Sequence, residues 1–258
     1  MVNLAVVSAT SLAAVTLVFA VTFFVGHRIG RYNVVDVTWG LSFVVVAAVG
    51  AALGNGDLTR RLLVLALVTV WGARLAWHLT GKLAGHGEDP RYTALLHGDF
   101  SIPNVLRKIF VMQAAAAWFI SLPLQLSATT GPTPAWLLGV TALGVTFWLV
   151  GVIFEAVGDY QLKVFKADPA NKGVIMDRGL WSWTRHPNYF GDACVWWGLW
   201  LVTLNGWPAL ATVFSPMLMT YFLVYATGAR LTEKRMAGRP GFSEYCTRTA
   251  FFVPHPPR

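Results

Sequence analysis

Six ionisable side chains stand inside, or at the ends of, otherwise apolar stretches: Asp36, Arg74, Glu155, Asp159, Asp192 and Arg230. A charge within hydrocarbon costs on the order of 2.5 to 3.5 kcal/mol on insertion scales, so such groups keep a partner or a polar cavity close by. Residues four apart share a helix face, which pairs Glu155 with Asp159, Asn188 with Asp192, and Arg74 with His78. Each residue taken alone has a plainer role, that of an interfacial group satisfying a helix end. The run GLWSWTRHPNYFGDACVWWG from Gly179 to Gly198 is the richest in polar chemistry. Pro187 suits the first turn of a helix and Asn188 can cap free backbone amides. Arg185, a protonated His186 and the Asn188 amide would then converge at a positive helix end, a setting for a phosphate or carboxylate ligand. A basic turn gripping lipid headgroups is the alternative.

The elements that must position these residues are membrane helices. Of 258 residues, 55% are hydrophobic and 12% charged, and the mean hydropathy is +0.55. Soluble domains carry about 25% charged residues, so this balance excludes a water-exposed globule and an intrinsically disordered chain. About 20 apolar residues cross a bilayer, and seven stretches qualify: 5–25, 34–53, 62–80, 105–125, 135–157, 188–204 and 208–227. The expected fold is therefore an all-α integral membrane protein of seven transmembrane helices, a single transmembrane domain over residues 1–258.

Loop cations set the orientation. Fifteen Lys and Arg residues fall in the loops 26–33, 81–104 and 158–187 and in the tail 228–258, against Arg60 and Arg61 alone in the opposite loops. An N-out, C-in topology follows, and the six ionisable residues then share the cytoplasmic leaflet. Their common depth suggests one polar cavity open to the cytoplasm. The formal charge of +8 is thereby a matter of topology, which argues against a nucleic-acid partner. The fourteen Arg against six Lys point to a GC-rich bacterial genome, and hence to the bacterial inner membrane.

Several chemistries are absent. There is no GxGxxG, so any dinucleotide lies between helices rather than on a soluble Rossmann domain. The six histidines, His27, His78, His86, His97, His186 and His255, form no HxxxH or HxxHH cluster, and no metal site is expected. No GxSxG elbow occurs. Cys194 and Cys246 are read as reduced and structural. Most of the twelve tryptophans suit interfacial belts and packing, with Trp39 and Trp71 the best placed to line a cavity near Asp36 and Arg74.

The runs EAVGDYQLKVFKADPANKG and GLWSWTRHPNYFGD, with VDVTWG near Asp36, WGARLAWHL around Arg74 and GEDPRY at Gly87 to Tyr92, resemble the bacterial membrane family grouped with the steroid 5-alpha-reductases. The resemblance runs from about Asn33 to the C-terminus and implies seven helices enclosing a cavity, with NADPH entering from the cytoplasm and a lipophilic substrate from the bilayer. It places the cofactor on Arg74, Glu155, Asp159, Lys166, Asn188, Asp192 and Arg230, and Arg185, His186 and Tyr245 are counted with them. The chemistry agrees, because the phosphates of NADPH need several cations while carboxylates can hold ribose hydroxyls. The position matching the family's substrate-side Tyr is Trp71, which cannot act as a general acid. The catalytic proton is assigned to Asp36, with Tyr92, Tyr225 or water as alternatives.

The expected function is an NADPH-dependent reductase acting on a double bond of a steroid-like, isoprenoid or fatty acyl substrate, with membrane lipids as its surroundings. Two other readings stay open. An S-adenosylmethionine-dependent methyltransferase of the isoprenylcysteine or phospholipid type also carries an RHPxY segment and an acidic, Tyr-containing tail, but the tail here, Glu233, Lys234, Arg235 and later FSEY at Phe242 to Tyr245, lacks the paired Glu of those enzymes. A non-catalytic lipid-binding protein is the third.

Overall fold

A computed structural model describes residues 2–85 and 87–257; His86 and Arg258 lie outside it. Among the described residues the fold is all helical, with one isolated parallel bridge, Thr184 to Ala250. In chain order the α-helices are α1 (Val2–Ile29), α2 (Val35–Leu53), α3 (Leu58–Leu83), α4 (Pro90–Leu96), α5 (Ile102–Val105), α6 (Met112–Ile120), α7 (Leu122–Ser127), α8 (Leu138–Ala167), α9 (Pro187–Thr203), α10 (Trp207–Leu210), α11 (Phe214–Tyr221), α12 (Ala229–Met236) and α13 (Phe242–Arg248). They belong to two compact units, Met1–Leu138 with Thr203–Ser215, and Gly139–Val202 with Pro216–Arg258.

Among the described residues, five helical segments are long and apolar enough to cross a membrane: Asn3–Ile29, Val35–Leu53, Leu58–Leu83, Ala135–Ala167 and Trp207–Met236. The other two expected spans differ from a continuous crossing helix. Residues 105–125 are divided among α5, a π-helical stretch Leu106–Val111, α6 and α7. Pro123 lacks an N–H and its ring opposes the carbonyl four residues back, so the helix breaks at Ser121 and restarts with Pro123 in the new first turn. Helix α9 has 17 residues, about 25 Å at 1.5 Å per residue, short of the roughly 30 Å hydrocarbon layer.

In the first unit α2 packs chiefly on α3 and α1. Gly40 and Gly72 make the close crossing possible, since a Cβ on Gly72 would stand 2.7 Å from the Gly40 carbonyl oxygen and one on Gly40 2.9 Å from that of Gly72. Asp57 caps α3 by accepting from the Arg60 amide at 2.7 Å, which starts this helix earlier than hydropathy alone marks it. Arg60 is itself buried and donates from Nη2 to the carbonyls of Ser127, Thr130 and Gly131 at 3.1, 2.7 and 2.8 Å. One of the two cations on the sparsely charged side of the chain is therefore a clamp on the segment after α7.

In the second unit a glycine seam joins α8 to α9. A Cβ on Gly144 would stand 2.7 Å from the Gly198 carbonyl oxygen, and one on Gly151 2.5 Å from that of Gly191; the reverse placements, on Gly198 and Gly191, both give 2.6 Å. These glycines recur every seven residues along each helix, so they keep to one stripe, and the backbones meet where any side chain would hold them apart.

Candidate functional site

In the first unit the GEDPRY segment folds onto the start of α2. The Glu88 carboxylate accepts from the backbone amides of Tyr32 and Asn33 at 2.5 and 3.0 Å, and the Asn33 side chain donates to the Gly87 carbonyl at 2.9 Å. Asp89 caps α4 through the Arg91 amide at 2.7 Å, with Pro90 in the first turn. Arg91 then reaches Asp36 with Nη2 at 2.8 Å and Asp89 with Nε at 3.0 Å. The Tyr92 hydroxyl donates to the other Asp36 oxygen at 2.5 Å, and Gln113 Nε2 approaches the same hydroxyl at 3.4 Å.

The electrostatics follow from this packing. Burial would lower the Arg91 pKa, but the Asp36 and Asp89 carboxylates carry it above its ordinary value. Burial raises the Asp89 carboxyl, and its bonds to Arg91 outweigh that and hold it below the usual range. Burial, then the Asp36 charge, pushes the Tyr92 phenol well above its ordinary value. Asp36 was expected as a proton donor. Its two oxygens instead receive a guanidinium and a phenol, so it acts as the acceptor that orients Tyr92. Trp71 is fully buried with its ring 5.8 Å from Phe43, and Trp39 packs edge-on to Phe43 at 5.2 Å. Trp71 is therefore a core residue rather than a wall of open space. Arg74 is half-buried one turn further along α3.

In the second unit the glycine seam brings four of the expected polar residues together. Glu155 and Asp159 on α8 are 2% and 8% exposed. Asn188 Nδ2 donates to Asp159 Oδ1 at 3.3 Å, and Asp192 follows one turn along α9, half-buried. A Cβ on Gly191 would meet Glu155 Cγ at 2.9 Å and one on Gly158 would meet Pro187 Cγ at 3.2 Å. Small residues at these points are what let carboxylates of one helix sit beside the polar start of the other.

Arg185 and His186 do something different from the anion-facing role expected of them. Arg185 Nε donates to Glu233 Oε1 at 2.6 Å, and Nη1 donates to the carbonyls of Cys246 and Thr249 at 2.9 and 2.8 Å. His186 Nε2 stands 3.1 Å from the same Glu233 oxygen. The ring is 3% exposed, and burial lowers its pKa despite the opposing pull of Glu233. A neutral ring then donates from Nε2, so His186 adds no positive charge near pH 7. The backbone completes the clamp, with the Arg185 amide donating to Ala250 O at 2.9 Å, the His255 amide to Trp183 O at 3.0 Å, and the Thr184 hydroxyl to Phe252 O at 2.9 Å. Tyr245 is buried and its hydroxyl donates to Trp181 O at 2.6 Å. It also serves the clamp.

The remaining cations lie outward. Lys166 is exposed at the end of α8, and Arg230 is exposed on α12 with its guanidinium 4.6 Å from the Tyr225 ring centre. Arg178 lies over Phe165 at 5.8 Å. Two features were not singled out from the sequence, although both left a trace there. The glycine stripe is visible as Gly144, Gly151 and Gly158 at intervals of seven, answered by Gly191 and Gly198. Glu233 as the shared partner of Arg185 and His186 left only an acidic residue in a basic tail.

A profile of the family described as "Protein of unknown function (DUF1295)" matches residues 22–249. A "Probable O-methyltransferase ustE" of Ustilaginoidea virens is 31% identical over 113 residues, 44% of this chain and 35% of that protein, so the chain spans about a third of the length of that curated relative. No solved structure matches.

Proposed function

The chain belongs to the DUF1295 family, and from the polar clusters just described we propose that it is a membrane reductase that uses NADPH to saturate a double bond in a lipophilic substrate. The observation that carries this reading is the nearly dry carboxylate pair Glu155 and Asp159, with Asn188 hydrogen-bonded to the second. Carboxylates held this way accept hydrogen bonds from the vicinal hydroxyls of a ribose, the part such residues play toward nucleotides elsewhere. Exposed Lys166, Arg178 and Arg230 supply the cations that a pyrophosphate and a ribose phosphate require. The donor set therefore fits the cofactor. Arg185, His186 and Tyr245 support it indirectly, by fixing the turn from which Asn188 projects, while Arg74 and Asp192 keep the role that the resemblance to the steroid 5-alpha-reductase group implies.

Bound NADPH would supply the hydride. The chain supplies the proton, and Tyr92 is proposed to give it by turning its one O–H from Asp36, which holds it at rest with Arg91 balancing the charge, toward the substrate carbon. A phenol of raised pKa keeps its proton at neutral pH and can release it to a strongly basic carbon. The basic loops support an N-out, C-in orientation with the cofactor taken from the cytoplasm.

A methyltransferase using S-adenosylmethionine is the second reading. Two observations favour it: the partial likeness to a probable O-methyltransferase, and the way Glu233 gathers Arg185 and His186 of the RHPNY segment. Nucleotide-dependent thermal stabilisation of the protein in detergent separates the two. A ligand at 100 times its dissociation constant adds about 2.7 kcal/mol. Stabilisation by NADPH, with less by NADH and none by S-adenosylmethionine, is expected. Stabilisation by S-adenosylmethionine alone overturns the reductase, and no response to any nucleotide leaves a lipid-binding protein.

A further inference from the structure

A groove of about 420 Å³ runs between α1, α2 and α3 of the first unit, within the roughly 300 to 1,000 Å³ usual for small-molecule sites. Its walls include Val21, Val25 and Val37, and Arg31, Val34, Leu83 and Ala84 stand at its mouth. Helix α1 ends, α2 begins and α3 ends at this mouth, so successive crossings put it at one membrane surface. Val21 lies eight residues before the end of α1, about 12 Å deeper at 1.5 Å per residue. Val21 and Val25 are about half exposed on a helix that crosses the membrane, which opens the groove sideways to lipid. The three hydroxyls that line it are already satisfied: Thr22 donates to the Val18 carbonyl at 2.8 Å, Thr38 is 2.7 Å from Thr22, and Thr80 donates to the Ala76 carbonyl at 2.8 Å. The interior is thus a slot for hydrocarbon.

The mouth is a fixed cation. Gly30, with a φ of 68°, ends α1 in the left-handed conformation, and the Arg31 amide closes the cap on the Gly26 carbonyl at 2.9 Å. The Arg31 side chain uses Nη2 to hold the Leu83 carbonyl at 3.2 Å. Its buried Nε has no hydrogen-bond partner, and no carboxylate is within ion-pair distance of it among the described residues. A guanidinium set this way at a membrane surface, above an apolar slot that opens to the bilayer, is complementary to an anionic amphiphile. We propose that this groove binds one acyl chain of an anionic phospholipid of the surrounding bilayer, with its phosphate on Arg31. The site stands whatever reaction the protein catalyses.

Native mass spectrometry of the purified protein, exchanged into equal mixtures of phosphatidylglycerol and phosphatidylcholine of the same chain length, tests it. Wild type should retain one phosphatidylglycerol in preference to phosphatidylcholine. Arg31→Gln should cut that preference about tenfold, the worth of one charge-assisted hydrogen bond, and Arg31→Lys should keep most of it. Val25→Trp, at a half-exposed position, should abolish retention of either lipid by filling the slot, without disturbing the fold. Lys82→Gln removes a cation at the end of α3 that does not line the groove and should change nothing. Equal retention of both lipids by wild type, retention unaffected by Val25→Trp, or equal losses in Arg31→Gln and Lys82→Gln would each overturn the proposal. Should Arg31→Gln fail to fold, the Val25→Trp result decides.

Discussion

Replacing Glu233 by Gln tests the clamp that fixes the RHPNY turn. Glu233 Oε1 serves both Arg185 and His186, whose side chains are 12% and 4% exposed, whereas Glu233 itself is 21% exposed. Removing one partner of a fully buried pair costs about 3 to 5 kcal/mol, and an exposed pair about 0 to 1. Water can reach the Glu233 side, and Arg185 keeps the carbonyls of Cys246 and Thr249, so a loss of about 2 to 3 kcal/mol is expected. For a chain of this size that lowers the melting temperature by about 5 to 10 °C. The assay is tryptophan fluorescence of the purified protein in detergent on heating, repeated from pH 8 to pH 5.

The pH series carries a second expectation. Because folding lowers the His186 pKa, the unfolded chain takes up that proton first as pH falls through the ordinary value of about 6.5. Stability from this group is present above that value and declines as pH falls toward the folded pKa, below which it levels off. The Glu233 charge opposes the shift. In Glu233→Gln the folded pKa therefore drops further, and the acid-induced decline continues to lower pH. A melting temperature within about 1 °C of wild type, which corresponds to about 0.25 to 0.5 kcal/mol on the same scale, together with an unchanged pH profile would refute the reasoning.

Tyr92→Phe deletes the hydroxyl donated to Asp36 and should slow the proposed reduction by about 10² to 10⁴, the usual worth of a positioned acid, with NADPH affinity unchanged; wild-type turnover would remove Tyr92 from the mechanism. Gly151→Ala forces a methyl group to within 2.5 Å of the Gly191 carbonyl and should cost about 1 to 3 kcal/mol through separation of α8 from α9. Gly139→Ala has no atom in its way and is the control: equal melting temperatures for the two variants would show that the seam is not a close contact.

The membrane character was plain from composition, because 12% charged residues is about half of what a soluble domain carries on its water-facing surface. Hydropathy also located the long crossing helices at 3–29, 35–53 and 58–83 to within a few residues. It misjudged the passage around Pro123, since an average over about 20 residues is blind to one missing amide. The polar residues were legible as a set, because a charge in an apolar run stands out. Their pairings were not.

Residue type and spacing determined that Glu155, Asp159, Asn188 and Asp192 share faces of their own helices, and that Arg185 and His186 open a helix at a polar turn. Only the tertiary structure decided what those faces meet. The glycine stripe sets the carboxylates of α8 beside Asn188 by letting two backbones touch, while Glu233, 47 residues from His186, takes the hydrogen-bond donors of Arg185 and His186 that the sequence offered to a ligand. In the first unit Asp36 likewise meets Tyr92 across 56 positions. Periodicity reports the chemistry along one helix, but ion pairs and proton donors are made between segments far apart in the chain, where burial and geometry select the partner.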